Sequence, residues 1–242
     1  MARSLTREAF LGDMNLHGMG PPQGFWSLLT GPEQSVLSGL GRMSVFPPGA
    51  ALCVEGDPAT HVFILVAGWV KILAVTSEGQ EMVLGLRGQG DIVGEVAGEA
   101  TGYRTATVQA TGTVRALIVG HDKFSSFLDS YLGASQAYRR FLTQRWSDTA
   151  AMLRRRSGTS GAQRLAFLLL DLAGQPGTGM ADDVYVTMPL SQEDLASLAG
   201  TSRATVTRAL GNWRRRGFIR TGQRRITIMD PGALRQIAGH PA

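Results

Sequence analysis

The hydrophobic pattern changes period along this chain, and the changes divide it. Between Val45 and Val119 apolar residues alternate or run together in short blocks: VFPPGAAL, HVFILVAGWVKILAV, EMVLGL, GDIVG, TATVQA and TVRALIV. Turn signals such as EGDP, VAGW, SEGQ and GQGD separate them. A period of two bounded by glycine and proline predicts strands. About eight short strands at this spacing predict a sandwich, jelly roll or barrel. Ahead of them a short helix is expected from Pro32 to Leu40, with Thr30 or Gly31 as its cap. Residues 1–24 carry glycine, proline and methionine without clear period and are expected to be a flexible arm.

Beyond Asp122 the period becomes helical. No proline interrupts Ser130 to Arg156, and Tyr131, Ala134, Tyr138, Phe141, Trp146, Met152 and Leu153 supply its apolar side chains. So long a helix has too little neighbouring chain to cover it, and a helix from a second copy is the simplest cover. RRRSGTSG at 154–161 reads as a basic helix end followed by a hinge. AQRLAFLLLDLA then forms a helix with a continuous apolar face, QPGTGMADD a loop, and VYVTMPL a strand-like lead.

The stretch LSQEDLASLAGTSRATVTRALGNWRRRGFI, starting at Leu190, carries the strongest local signal. Ser191 caps a helix and Asp194 stands three residues on, a variant of the capping box. Leu195, Leu198 and Ala199 form its apolar face, and Gly200 can take the left-handed conformation that ends it. Ser202 caps a second helix whose inward positions are Val206, Ala209, Leu210 and Trp213. Two short helices about a glycine-containing turn make a helix–turn–helix. Its second helix exposes Arg203, Thr205 or Thr207, and Arg208 near the end that enters a major groove. RRITIM at 224–229 reads as a β-wing whose Arg224 could touch phosphate, and Asp230-Pro231 opens a last helix.

Charge sharpens this reading. The formal net charge of +5 is unevenly placed: from Gly200 to Arg225 there are eight arginines and no acidic residue. Solvated faces usually mix signs, so an acid-free cluster points to a polyanion. Composition narrows the chemistry further. The single cysteine, Cys53, excludes an intrachain disulfide and a multi-cysteine metal site, and the four histidines lack ligand spacing. No catalytic or metal-ligating constellation emerges, so an enzyme is not expected. No apolar run approaches the roughly 20 residues that span a bilayer, and no secretory pattern opens the chain. A cytoplasmic protein without membrane contact is expected.

GEVAGEATGYRTATV at 94–108 poses the remaining question. Gly94 lets the backbone come close to a ligand, and residues 95–98 could begin a helical turn with free amides. Arg104 can neutralise a phosphate, and Thr105 adds an N–H and a hydroxyl. Glu95 cannot meet a phosphate but can accept from a sugar hydroxyl. On spacing alone, a surface turn and a ribose-phosphate cradle both remain open.

The G-E-x(8)-R-T-A pattern, preceded by GD at 90–91, resembles the phosphate-binding cassette of cyclic-nucleotide-binding domains. From about Phe25 to Gly239 the chain is similar to the catabolite-activator and fumarate-nitrate-regulator (Crp/Fnr) superfamily of bacterial transcription factors, in the order β-roll, cassette, dimer helix, hinge, winged helix–turn–helix. EGDPATHVFILVAGWVKI and TSRATVTRAL share in the resemblance. It implies an α+β fold: flexible arm 1–24, cyclic-nucleotide-binding β-roll or jelly roll 25–129, dimerisation helix 130–156, hinge 157–161 and winged helix–turn–helix 162–242.

The resemblance also implies site residues. Gly94 and Glu95 would hold the ribose side of a cyclic nucleotide, Arg104 and Thr105 the cyclic phosphate, and Thr149 the base, with Val96 a further ligand-binding residue. Ala150 stands where the cyclic AMP receptor protein has a serine reaching from the other subunit. Cyclic AMP is the expected effector, with cyclic GMP, another effector or a vestigial pocket as alternatives, and no covalent cofactor. Ser202, Arg203, Thr205, Thr207, Arg208 and Arg224 would contact double-stranded DNA at two half-sites. Ala204 replaces the family's glutamate, which should relax preference at that base pair by about 1–3 kcal/mol. The implied partners are DNA, a second copy of the chain and RNA polymerase.

Overall fold

A computed structural model of the chain describes residues 24–79, 81–96, 102–156, 158–173, 184–186, 190–222 and 225–239. Residues 1–23 of the expected arm, the whole 175–183 loop, Arg224 and the middle of the cassette lie outside these residues. The chain divides into two compact units, the first ending at Trp146 and the second beginning at Ser147.

The first unit opens with a short 3-10 helix, Phe25–Leu28, that the sequence pattern does not announce. Helix α1 follows at Gly31–Leu40. Thr30 caps it through a capping box in which Glu33 Oε2 accepts from the Thr30 amide at 2.7 Å. Eight strands come next: β1 (Arg42–Phe46), β2 (Ala51–Cys53), β3 (His61–Ala67), β4 (Val70–Val75), β5 (Glu81–Arg87), β6 (Ile92–Val93), β7 (Thr107–Ala110) and β8 (Val114–Gly120). They pair antiparallel into two four-stranded sheets, ordered β1-β8-β3-β6 and β2-β7-β4-β5.

Strand β3 shows why HVFILVA reads as a continuous apolar run. Its period of two sends Phe63 and Leu65 into a cluster with Leu52, Val70, Val108 and Ala116 from both sheets. Val62, Ile64 and Val66 face the opposite way, into a cluster with helical residues. A strand buried on both faces has no place for polar side chains.

Helix α2 (His121–Ser130) and helix α3 (Leu132–Arg156) follow β8, with Tyr131 extended between them. The single helix expected from Ser130 therefore begins at Leu132, and α2 precedes it as a separate helix. The expected shortage of cover is also corrected for the first part of α3. Ala134, Ala137, Tyr138 and Phe141 are buried in the first unit's own core with Phe25, Trp26 and Phe124. The 3-10 helix and α2 supply that cover, and Phe25 sets its ring edge against both Phe124 and Tyr138. Trp146 and Leu153, by contrast, are 77% and 58% exposed.

The second unit contains helix α4 (Gly161–Ala173), strand β9 (Val184–Val186), helix α5 (Gln192–Leu198), helix α6 (Arg203–Arg215), strands β10 (Ile219–Gly222) and β11 (Arg225–Ile228), and helix α7 (Pro231–Ala238). Strands β10, β11 and β9 form an antiparallel sheet in that order. Gly161, expected within the hinge, is already the first residue of α4. Position 161 has to be glycine: a Cβ there would overlap the Thr201 side chain at the helix–turn–helix turn.

Candidate functional site

Gly94 follows directly on β6, which pairs with β3 through Phe63↔Val93. Its φ of +81° is one that side-chain-bearing residues rarely adopt. A Cβ on Gly94 would collide with the Arg104 guanidinium, so the glycine is what admits that arginine. The backbone of Arg104 is tied to the loop before β3: its N–H donates to Asp57 O at 2.8 Å, and its carbonyl accepts from the Gly56 N–H at 2.9 Å.

The Arg104 side chain then turns inward and is only 3% exposed. Nη1 donates to Gly94 O at 2.8 Å and Nη2 to His61 O at 2.7 Å. Its guanidinium carbon lies 5.7 Å from the centre of the Phe63 ring. Nε is buried without a hydrogen-bond partner. Among the described residues no carboxylate pairs with Arg104. A buried cation held only by neutral carbonyls, with one donor left over, is what an anion-binding cradle requires.

Glu95 is 2% exposed and takes a different partner from the one its sequence position suggests. It forms a buried ion pair with Arg145 of α3, a residue the sequence reading passed over. The signal was present, since Arg145 stands four residues before Thr149 and so one helical turn away on the same face. Arg145 also stacks over Phe141, with its guanidinium carbon 4.7 Å from the ring centre. Burial pushes the Glu95 carboxyl above its ordinary range, while the Arg145 charge pulls it back. Burial likewise raises Asp91, opposed by a hydrogen bond from the Gly88 amide and by the Arg87 charge. His61 is held down, first by burial and then by the Arg104 charge.

The structure thus brings Gly94, Glu95 and Arg104 together and adds Arg145. Val96 is helical and half exposed, and Thr105 is exposed beside Arg104. Thr149 is exposed and belongs to the second unit. The Glu95 carboxylate and the Arg104 guanidinium are both buried in the first unit.

In the second unit, Ser191 caps α5 and its hydroxyl exchanges hydrogen bonds with Asp194, whose carboxylate accepts from the Ser191 amide at 2.9 Å. Gly200 turns the chain at φ +59°. Ser202 caps α6, its Oγ accepting from the Thr205 amide at 3.2 Å. Val206, Ala209, Leu210 and Trp213 are buried, while Arg203, Ala204, Thr207 and Arg208 are exposed along α6 and Thr205 is half exposed. Arg164, a second residue passed over, clamps this turn. Its Nε donates to Ala199 O and its Nη2 to Gly200 O, both at 2.8 Å, and its Nη1 donates to Thr159 O. Arg224 lies outside the described residues; Arg225 opens β11 of the wing.

Comparison with known proteins identifies the domain in which residues 94–108 lie. Residues 43–131 match the cyclic nucleotide-binding domain, and residues 163–237 match the Crp-like helix-turn-helix domain. The CRP-like cAMP-activated global transcriptional regulator of Mycobacterium tuberculosis H37Rv is 31% identical over 210 residues, 86% of this chain and 94% of that one. The chain belongs to the Crp/Fnr superfamily.

Other relatives of this regulator carry different names. The global nitrogen regulator of Synechococcus elongatus is 29% identical, spanning 81% of this chain and 89% of its own. Among solved structures, FixK2 from Bradyrhizobium japonicum superposes with a TM-score of 0.72 at 17% identity, covering 84% of this chain and 99% of that one. A CRP-family transcriptional regulator of Thermus thermophilus gives a TM-score of 0.70 at 24% identity, with coverages of 81% and 96%. Both likenesses establish the fold. The protein is a DNA-binding transcription regulator of this family with a cyclic nucleotide-binding domain. Its domains and relatives are those of transcription regulators rather than enzymes. Among the described residues no helix is long and apolar enough to cross a membrane.

Proposed function

We propose that the regulator is a homodimer whose DNA affinity is set by a cyclic nucleotide, cyclic AMP before cyclic GMP, held at the cassette. The observation that carries this reading is Arg104: buried, without a carboxylate partner among the described residues, its Nε unpartnered, and seated against Gly94, where a Cβ would collide with its guanidinium. The residues present fit a cyclic phosphate. In this reading Arg104 receives the phosphate, with Thr105 at its rim and Gly94 on the ribose side. Glu95, oriented by Arg145, accepts from the ribose hydroxyl. Thr149 meets the base without the help of a hydroxyl at Ala150.

Ligand binding would shift the population of DNA-binding arrangements by its differential affinity for them. Isothermal titration of the folded protein with cyclic AMP and cyclic GMP tests this, and absence of heat with both would overturn it. The mycobacterial relative is named as cAMP-activated, which supports the order of the two.

Dimerisation belongs to the same reading. Trp146 and Leu153 remain largely exposed on α3, and large apolar side chains left in water mark an interface. A second copy is the proposed cover, and sedimentation at micromolar concentration would show a monomer if it is not. RNA polymerase is the further proposed partner, tested by transcription from a promoter carrying a selected site.

A second reading, a regulator of this family that ignores cyclic nucleotides or answers another effector, is favoured by Ala150 and by the Arg145 pair that already engages Glu95. It gains if Arg104→Ala leaves DNA affinity unchanged with and without nucleotide.

A further inference from the structure

The outward face of α6 has a gap in its hydrogen-bonding groups at Ala204. Ala204, Thr207 and Arg208 share it at i, i+3 and i+4 spacing, and Ala204 offers only a methyl group. Between Arg203 and Arg208, the exposed polar side chain on the helix is Thr207. Its hydroxyl lies 2.6 Å from Gln192 Oε1 and 3.0 Å from Arg203 O. One hydroxyl has one proton, and an O–H···O bond is best near 2.7–2.8 Å, so the shorter contact takes the proton.

Gln192 is exposed at the first turn of α5, on the other helix of the motif. Two consequences follow. With its oxygen engaged by Thr207, the amide presents the two N–H donors of Nε2. Thr207 Oγ1, its proton spent, keeps lone pairs that can accept. The two helices jointly display a donor and an acceptor, with Ala204 one turn before Thr207 on α6.

We propose that Gln192 is a specificity-determining residue of this regulator, forming with Thr207 a composite reader of adenine. Adenine offers an N7 acceptor next to an N6 donor on its major-groove edge. Gln192 Nε2 donates to N7, and Thr207 Oγ1 accepts from N6. A lone glutamine normally makes both contacts with one amide. Here threonine takes the acceptor role because Gln192 Oε1 is turned to Thr207 within the protein. The proposal rests on the DNA-binding reading of α6.

The test is selection of binding sites from a randomised half-site pool, followed by affinity measurement across a salt series. Wild type, Gln192→Ala, Gln192→Glu and Thr207→Val are compared, and thermal melting confirms that each folds. Wild type should enrich adenine at one position per half-site. Gln192→Ala and Thr207→Val should each flatten that position by about tenfold or more, with the salt slope unchanged. Gln192→Glu, which replaces the donor with an acceptor, should move the preference away from adenine.

If Gln192→Ala instead weakens every sequence equally and lowers the salt slope by about one, Gln192 touches a phosphate and the proposal fails while DNA binding stands. An unchanged site profile in Gln192→Ala has the same meaning. Failure of wild type to select any site would overturn the DNA reading itself.

Discussion

Replacing Gly94 with alanine isolates the contact on which the effector reading depends. Two costs are expected. The φ of +81° imposes about 1–2 kcal/mol on any residue with a Cβ. The new methyl also occupies the space of the Arg104 guanidinium, which must leave its acceptors at Gly94 O and His61 O. Hydrogen bonds from a charged donor contribute about 1.5–3 kcal/mol each, so a total of about 3 kcal/mol or more is expected.

Gly102 provides the control. Its φ is +74°, but beyond its chain neighbours no atom of the described residues lies within 4 Å of the position of a Cβ. Gly102→Ala therefore reports strain alone. Thermal unfolding of the first unit should show a loss of about 4–8 °C for Gly102→Ala and at least about 10 °C for Gly94→Ala. Ligand at 100 times its Kd stabilises by about 2.7 kcal/mol. That upward shift with cyclic AMP should persist in Gly102→Ala and vanish in Gly94→Ala. If Gly94→Ala melts with Gly102→Ala and keeps its nucleotide shift, Arg104 is not the anion's partner.

Removing Arg145 strands Glu95 in the core, so Arg145→Ala should cost about 3–5 kcal/mol, and adding Glu95→Gln should recover part of it. The sign with pH follows from the raised carboxyls of Glu95 and Asp91, both of which feel the Arg145 charge. A folded-state pKa above the unfolded value favours the protonated folded form, so the deficit of Arg145→Ala is largest at neutral pH and shrinks on acidification toward about pH 5, as chemical denaturation at each pH would show. Trp146→Glu should convert a dimer into a monomer in sedimentation while leaving the circular dichroism of the fold unchanged. Arg208→Ala should cost about 1–3 kcal/mol and relax one base-pair preference, whereas Arg220→Ala on the wing should weaken all sequences alike and reduce the salt slope by about one, both read by fluorescence anisotropy.

Local signals were legible in the sequence wherever one element's own residues decide its shape. The caps at Ser191 and Ser202, the turn at Gly200 and the double-faced burial of HVFILVA all follow from spacing alone. Contacts between distant segments were not legible. The Glu95–Arg145 pair joins residues 50 apart in sequence, and Arg164 reaches 35 residues to Ala199. Neither arginine differs in type from many others in an arginine-rich chain. The cover over the first part of α3 was missed for the same reason, because Phe25 meets Tyr138 only once the chain has folded back.

The solitary cation of the pocket bears on how a signal would end. Glu95 is balanced by Arg145, and Asp91 feels the charge of Arg87, which leaves Arg104 with no acid of its own among the described residues. A cyclic phosphodiester carries one negative charge and would bring the pocket to neutrality. Hydrolysis of the ring gives a monoester approaching two negative charges, and the second would sit unpaired in a buried site beside Glu95. Competitive titration should accordingly find linear 5′-monophosphates markedly weaker than their cyclic parents; equal affinity would contradict this. Opening the ring would then both destroy the messenger and evict it, with no separate release step needed in the protein.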